Sequence, residues 1–142
     1  MIVKPGSIDS VLAQQQCVPC RGGVPPLSQE AAVSLLAQLE KGWQIIDGHH
    51  IEKEYLFDEY RQALNFTFQV GLLAEAQGHH PDMLLRWAKC KVTLWTHKIN
   101  GITESDFVFA AKTDLILQQS LSLKSLPRLP SDFEHRIPLK GV

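Results

Sequence analysis

Residues 78–106 read GHHPDMLLRWAKCKVTLWTHKINGITESD, and the chain changes secondary structure several times within them. An apolar helical pattern stops at Gly78, a residue suited to the left-handed end of a helix. His79 and His80 follow, and Pro81 keeps the helix from resuming. Residues 83–87 suit a short strand. Residues 89–97 make the plainest strand of the chain: Cys90, Val92 and Leu94 point to one side, and Lys91, Thr93, Trp95 and His97 to the other. The core claims the first set, which leaves His97 away from the packed helices. Asn100-Gly101 marks a turn, and residues 103–106, Thr-Glu-Ser-Asp, have the form of a helix capping box with Asp in place of Glu or Gln.

Upstream, Ser28 can cap a helix that has Glu30 in its first turn and Ala32, Leu35, Leu36 and Leu39 along one face, with Gly42 to end it. Residues 43–46 and 51–57 alternate as strands, Trp43 with Ile45 and Ile51 with Tyr55 and Phe57, joined by a tight turn at Asp47-Gly48. His49-His50 follows that turn and reads as surface. A long helix opens at Asp58, with Ala63, Phe66, Val70 and Leu73 at helical spacing. Phe68 and Leu72 lie off that stripe and predict a second apolar contact, suited to self-association. A last helix runs to about residue 119 and buries Phe107, Ala110, Ala111 and Leu115. The order helix, two strands, helix, two strands, helix predicts an α+β fold: one four-stranded antiparallel sheet with three helices on one face. Residues 1–26 read as an irregular arm, residues 27–119 as the folded domain and residues 120–142 as an extended tail.

The 142 residues suit one domain, and 44% hydrophobic with 20% charged content describes a globular chain able to bury a core. A formal net charge of -1 gives no broad attraction to nucleic acid or to an anionic membrane, so a small ligand is the expected partner. The apolar runs are short for a bilayer and the opening MIVKPGSIDS has no basic start or apolar core, which predicts a cytoplasmic protein. Three cysteines, one of them inside a strand, argue against a disulfide framework.

The chemistry rests on His79, His80 and His97. Imidazole exchanges protons near neutral pH, and several at one pocket edge can give a proton to one substrate atom while taking one from another. Any one histidine is more often a packing or surface residue; the grouping is what points to function.

Glu75, His79-His80-Pro81, the strand ending Thr96-His97, Gly101 and residues 103–106 together resemble the pterin-4a-carbinolamine dehydratase family. The interval from His79 to His97, 97 - 79 = 18 residues, places the third histidine where that family has it, and the resemblance covers residues 27–117. It implies dehydration of a 4a-hydroxytetrahydropterin to the quinonoid dihydropterin and water, a step in tetrahydrobiopterin recycling, with no metal or cofactor. It also implies His79 and His97 as acids acting on the hydroxyl and His80 as a residue that holds the pterin and accepts a proton. Glu75 would hydrogen-bond an imidazole or the ring edge, while Pro81 and Thr96 shape the pocket. Asp106 reads instead as a residue that satisfies free helix amides. Homodimers or homotetramers are implied as well. Three positions depart from the family pattern: Met83 for an aromatic residue, Lys98 for an acidic one, and Gly78 for Asp or Asn.

Two readings compete. Cys17-Val-Pro-Cys20 has the spacing of zinc ligands, which two histidines would complete. The exposed apolar helix face would also serve a non-catalytic dimerisation module of the transcription-cofactor type.

Overall fold

The computed structural model describes residues 11–17 and 25–121, with side chains described to 119. Its centre is the strand Lys89–Leu94 (β4), in which Cys90, Val92 and Leu94 are fully buried while the residues between them are not. That alternation lets β4 serve as an inner strand, covered on one face and paired on both edges. It pairs antiparallel with His50–Leu56 (β2) and with Asp82–Arg86 (β3), and Gln44–Ile46 (β1) completes the sheet in the order β1-β2-β4-β3. The register sets Ile51 against Leu94 and Asp82 against Thr93. On the uncovered face Glu52 and Glu54 on β2 reach diagonally to Lys91 and Lys89 on β4 as ion pairs at 3.8 and 3.6 Å, which suits a solvated surface. The architecture is the expected α+β sheet, and the three expected helices are present.

Their boundaries differ in instructive ways. Gln29–Leu36 (α2) begins where Ser28 Oγ accepts the Ala31 amide at 3.2 Å, but it stops at Ala37 and not at Gly42. Tight turns at Gln38 and Leu39 then carry the chain on and bury Leu39. Tyr60–Gln77 (α3) starts after Glu59 rather than at Asp58, and the Gln62 side chain reaches back to accept the Asp58 amide at 2.9 Å. Gly78 closes α3 with φ 62, as its lack of a Cβ permits. The outer face of α3 leaves Tyr60, Leu64, Phe68 and Leu72 exposed at four-residue spacing, which extends the second stripe expected from Phe68 and Leu72. Met83 turns inward against the core, within reach of Gly71 on α3.

Glu104–Leu121 (α4) runs two residues into the stretch expected to be an extended tail; the rest of that tail lies outside the described residues. Phe107, Val108, Phe109, Ala110 and Ala111 are all buried. Five consecutive buried positions cannot share one helical face. The second cover comes from the segment expected to be an irregular arm: Val11–Gln14 (α1) makes one helical turn, Leu12, Ala13 and Cys17 enter the core, and the Lys112 ammonium donates to the Ala13 carbonyl at 2.9 Å.

Between α4 and the sheet, Asp114 is buried and accepts three hydrogen bonds. Trp43 Nε1 donates at 3.0 Å, the Tyr55 hydroxyl at 2.7 Å and the Lys53 ammonium at 2.8 Å. Lys53 stands on the inner face between Ile51 and Tyr55, so the carboxylate answers a cation that the strand alternation places indoors.

Candidate active site

Asp106 sits in the first turn of α4, where unpaired helix amides favour negative charge, and it is fully buried. Its Oδ2 accepts the Thr103 amide at 2.8 Å and the Thr96 hydroxyl at 3.0 Å, while Oδ1 accepts His79 Nε2 at 2.7 Å. The cap contact expected of Asp106 is present, and an imidazole is added to it. Local sequence carried no sign of the second role, because His79 lies 27 residues away.

Backbone geometry explains the meeting. Gly78 turns the chain off α3 while the His79 amide still bonds to the Ala74 carbonyl at 3.2 Å. The pairing of Asp82 with Thr93, carried three residues further, brings His79 level with Thr96. The His79 side chain is 12% exposed and its ring lies against Phe109. A carboxylate only accepts, so His79 Nε2 carries hydrogen, and in the neutral ring Nδ1 is the atom left to take a proton.

His80 faces outward. Its Nε2 lies 2.9 Å from Glu75 Oε1, and the two side chains are 60% and 79% exposed. A pair so solvated contributes little stability, but it gives the ring a preferred orientation. Pro81 is half-buried between His80 and β3. His97 is exposed as expected, yet it does not end a strand. β4 stops at Leu94, Thr96 pairs with Gly101, and His97–Ile99 forms a 3₁₀ turn closed by Asn100 in the left-handed region. The His97 ring packs against Trp95 at a tilt of 37°, with centroids 4.4 Å apart. One carboxylate thus gathers His79 and Thr96, with His80 and His97 each one residue further along their segments.

His49 and His50 are not the plain surface residues expected. Both are half-buried, their Nδ1 atoms are 3.0 Å apart, and His49 Nε2 lies 2.7 Å from Asn100 Oδ1. A cleft of about 450 Å³ opens nearby, lined by Leu27, Ala32, Val33, Ile45 and Ile102 together with Gln29, Asp47 and Gly48. None of His79, His80 and His97 lines it.

Cys17 is buried with its thiol 3.6 Å from the Ser105 carbonyl, and its partner in the zinc reading, Cys20, lies outside the described residues. Burial first, and then the Asp106 charge, push the Cys17 thiol up to about 11 despite the nearby Lys112. Such a thiol is a poor ligand or nucleophile near neutral pH. Tyr55 is likewise raised, by burial and then by Asp114. The native state therefore keeps protons that the unfolded chain releases at alkaline pH, so this stability is fully present below about pH 9 and is lost as pH rises toward about 11. Thermal unfolding followed from pH 8 to 11 should show Tm falling across that window, with a loss on the order of 1–2 kcal/mol from the thiol. Cys17→Ala should flatten the fall; an unchanged slope would remove Cys17 as its source.

Residues 25–116 match the family model described as pterin 4 alpha carbinolamine dehydratase. The chain is similar to a provisionally named pterin-4-alpha-carbinolamine dehydratase of Alkaliphilus metalliredigens, 52% identical over 72% of this chain and 93% of that one. It is equally similar to one of Rubrobacter xylanophilus, 52% identical over 74% of this chain and 97% of the other. Among solved structures, a transcriptional coactivator/pterin dehydratase from Brucella melitensis superposes with a TM-score of 0.61 at 35% identity, covering 64% of this chain and 97% of its own.

Proposed function

The chain belongs to the pterin 4 alpha carbinolamine dehydratase family, and from that premise we propose that it is a hydro-lyase acting on a 4a-hydroxytetrahydropterin, in tetrahydrobiopterin recycling. The observation that carries the reading is the buried Asp106 carboxylate bonded to His79 at 2.7 Å. In the reaction a proton passes to the 4a hydroxyl and the C4a–O bond breaks as water leaves. The lone pair of the neighbouring ring nitrogen forms the new C=N bond, and that nitrogen's proton passes to a base. Electrons are neither gained nor lost, so proton transfer by imidazole meets the demand.

His79 is assigned the acid role at the hydroxyl: Asp106 accepts from Nε2 and fixes the ring, so Nδ1 is the atom that meets the substrate. His97 shares that role from the other segment. His80, oriented by Glu75, contacts the pterin and accepts the ring-nitrogen proton, and Pro81 and Thr96 set the spacing of the three rings. The assigned residues lie within residues 27–119, and the core beneath them also takes in Leu12, Ala13 and Cys17. The apolar stripe on α3 suits a homodimer or homotetramer, since burying Leu64, Phe68 and Leu72 removes apolar surface from water. Among the described residues no helix is long and apolar enough to cross a membrane; we place the protein in the cytoplasm. A second reading, docking to a transcription factor, is favoured by the same exposed stripe and by the coactivator named in the Brucella melitensis structure's description.

The test is the rate of quinonoid dihydropterin formation from freshly generated 4a-carbinolamine. The protein should exceed buffer clearly, and His80→Ala should lower kcat by about 10²-fold, the lower end for acid–base assistance because the ring is solvated. A rate equal to buffer would leave only the docking role.

A further inference from the structure

A second imidazole pair lies behind His97, and its contacts converge on the turn that carries that ring. His49 Nε2 lies 2.7 Å from Asn100 Oδ1. An amide oxygen only accepts, so His49 donates from Nε2, and in its neutral ring Nδ1 is left as an acceptor. His50 Nδ1, 3.0 Å away, then supplies the hydrogen, and His50 Nε2 faces Glu52 Oε2 at 3.8 Å. His50, His49 and Asn100 thus form one directed chain from β2 to the 3₁₀ turn, and Glu52 lies beyond hydrogen-bond reach of His50.

Asn100 is the residue that closes that turn. It has φ 50, and its amide donates to the His97 carbonyl at 3.2 Å. His49 therefore grips the far end of the segment that begins at His97. It also meets the same segment by a second route: its ring centroid is 5.6 Å from Trp95, whose ring also meets that of His97 at 4.4 Å. His50 adds a contact to Trp95 at 6.2 Å. Two independent paths, one through hydrogen bonds and one through ring packing, run from the pair to His97. An exposed ring on a three-residue turn has many rotamers to lose, and reaction geometry tolerates little displacement.

We infer that His49, held in its tautomer by His50, is a positioning residue for His97, fixing the turn through Asn100 and the imidazole through Trp95. The inference rests on His97 acting in the dehydration. It assigns a task to two histidines that touch none of Asp106, His79 and His80 by any described hydrogen bond.

The test uses the full chain with ¹³C-labelled histidine, reading the His97 ring signal, assigned by its loss in His97→Ala, alongside kcat and KM. His49→Ala should shift and broaden that signal and lower kcat about tenfold with little change in KM. Asn100→Gly keeps the left-handed backbone but removes the acceptor, and should reproduce part of both effects. His49→Gln, which retains a donor toward Asn100, should restore most of the rate. The His79 signal, unchanged throughout, reports that the fold persists. An unaltered His97 signal and kcat in both His49→Ala and Asn100→Gly would overturn the inference. If His97→Ala itself keeps the wild-type rate, the catalytic assignment of His97 fails instead, while the ring signal still reports whether His49 positions it.

Discussion

Asp106→Asn is expected to lower kcat for carbinolamine dehydration by roughly 10³–10⁴-fold while leaving the fold close to native. The amide is nearly isosteric with the carboxylate, so its oxygen can still accept the Thr103 amide and Thr96 hydroxyl that Oδ2 accepts now. Its nitrogen then faces His79 in place of Oδ1. A donor where an acceptor stood forces His79 to present a bare Nε2 and moves its hydrogen to Nδ1, and a ring that gave up that hydrogen would be left as an imidazolate. That change strikes the acid role assigned to His79. Steady-state kinetics would show the loss in kcat more than in KM, because the substituted group acts through the imidazole rather than on the pterin. Thermal unfolding near the wild-type Tm would separate this from collapse. A rate within threefold of wild type would remove Asp106 from the mechanism and return it to the capping role alone.

Asp114→Ala is expected to produce the largest loss of stability of any single exchange described here, about 3–5 kcal/mol. The residue is buried, and the exchange strands a Trp43 N–H, a Tyr55 hydroxyl and a Lys53 ammonium whose side chain is 12% exposed. Most of the cost comes from the uncompensated cation, so Asp114→Ala,Lys53→Met should recover a large part of it. Urea unfolding would show the midpoint falling at nearly constant slope. A shift below about 1 kcal/mol would mean that water or a neighbour takes over the three donors.

Much of the frame was legible because it obeys period and punctuation. The alternation of Cys90, Val92 and Leu94 predicted the central strand, and Gly78 predicted the end of α3 because its left-handed backbone suits few other residues. What escaped was long-range. The one-turn helix α1 is too short to declare itself, although the all-round apolar run from Phe107 to Ala111 required a second cover. Lys53 on the inner face of β2 called for a buried acid, but its partner lies 61 residues away. The three candidate histidines were visible as a group, whereas the role of Asp106 and the work of His49 and His50 depend on contacts that no local pattern encodes. His97 left the strand for a 3₁₀ turn because Thr96 folds back to pair with Gly101.

One helix bears both Asp106 and Asp114, eight residues apart, or about 12 Å of axial rise. The first faces the imidazole and the second clasps the sheet, so α4 behaves as a lever pinned at its middle with the reactive partner at its tip. A small tilt allowed by loosening the pin would misaim His79 before any global melting began. Exchanges at Trp43 or Tyr55, which bond to Asp114 and not to Asp106, would accordingly surface in an activity screen as slow turnover by a protein that still appears intact in bulk spectroscopy.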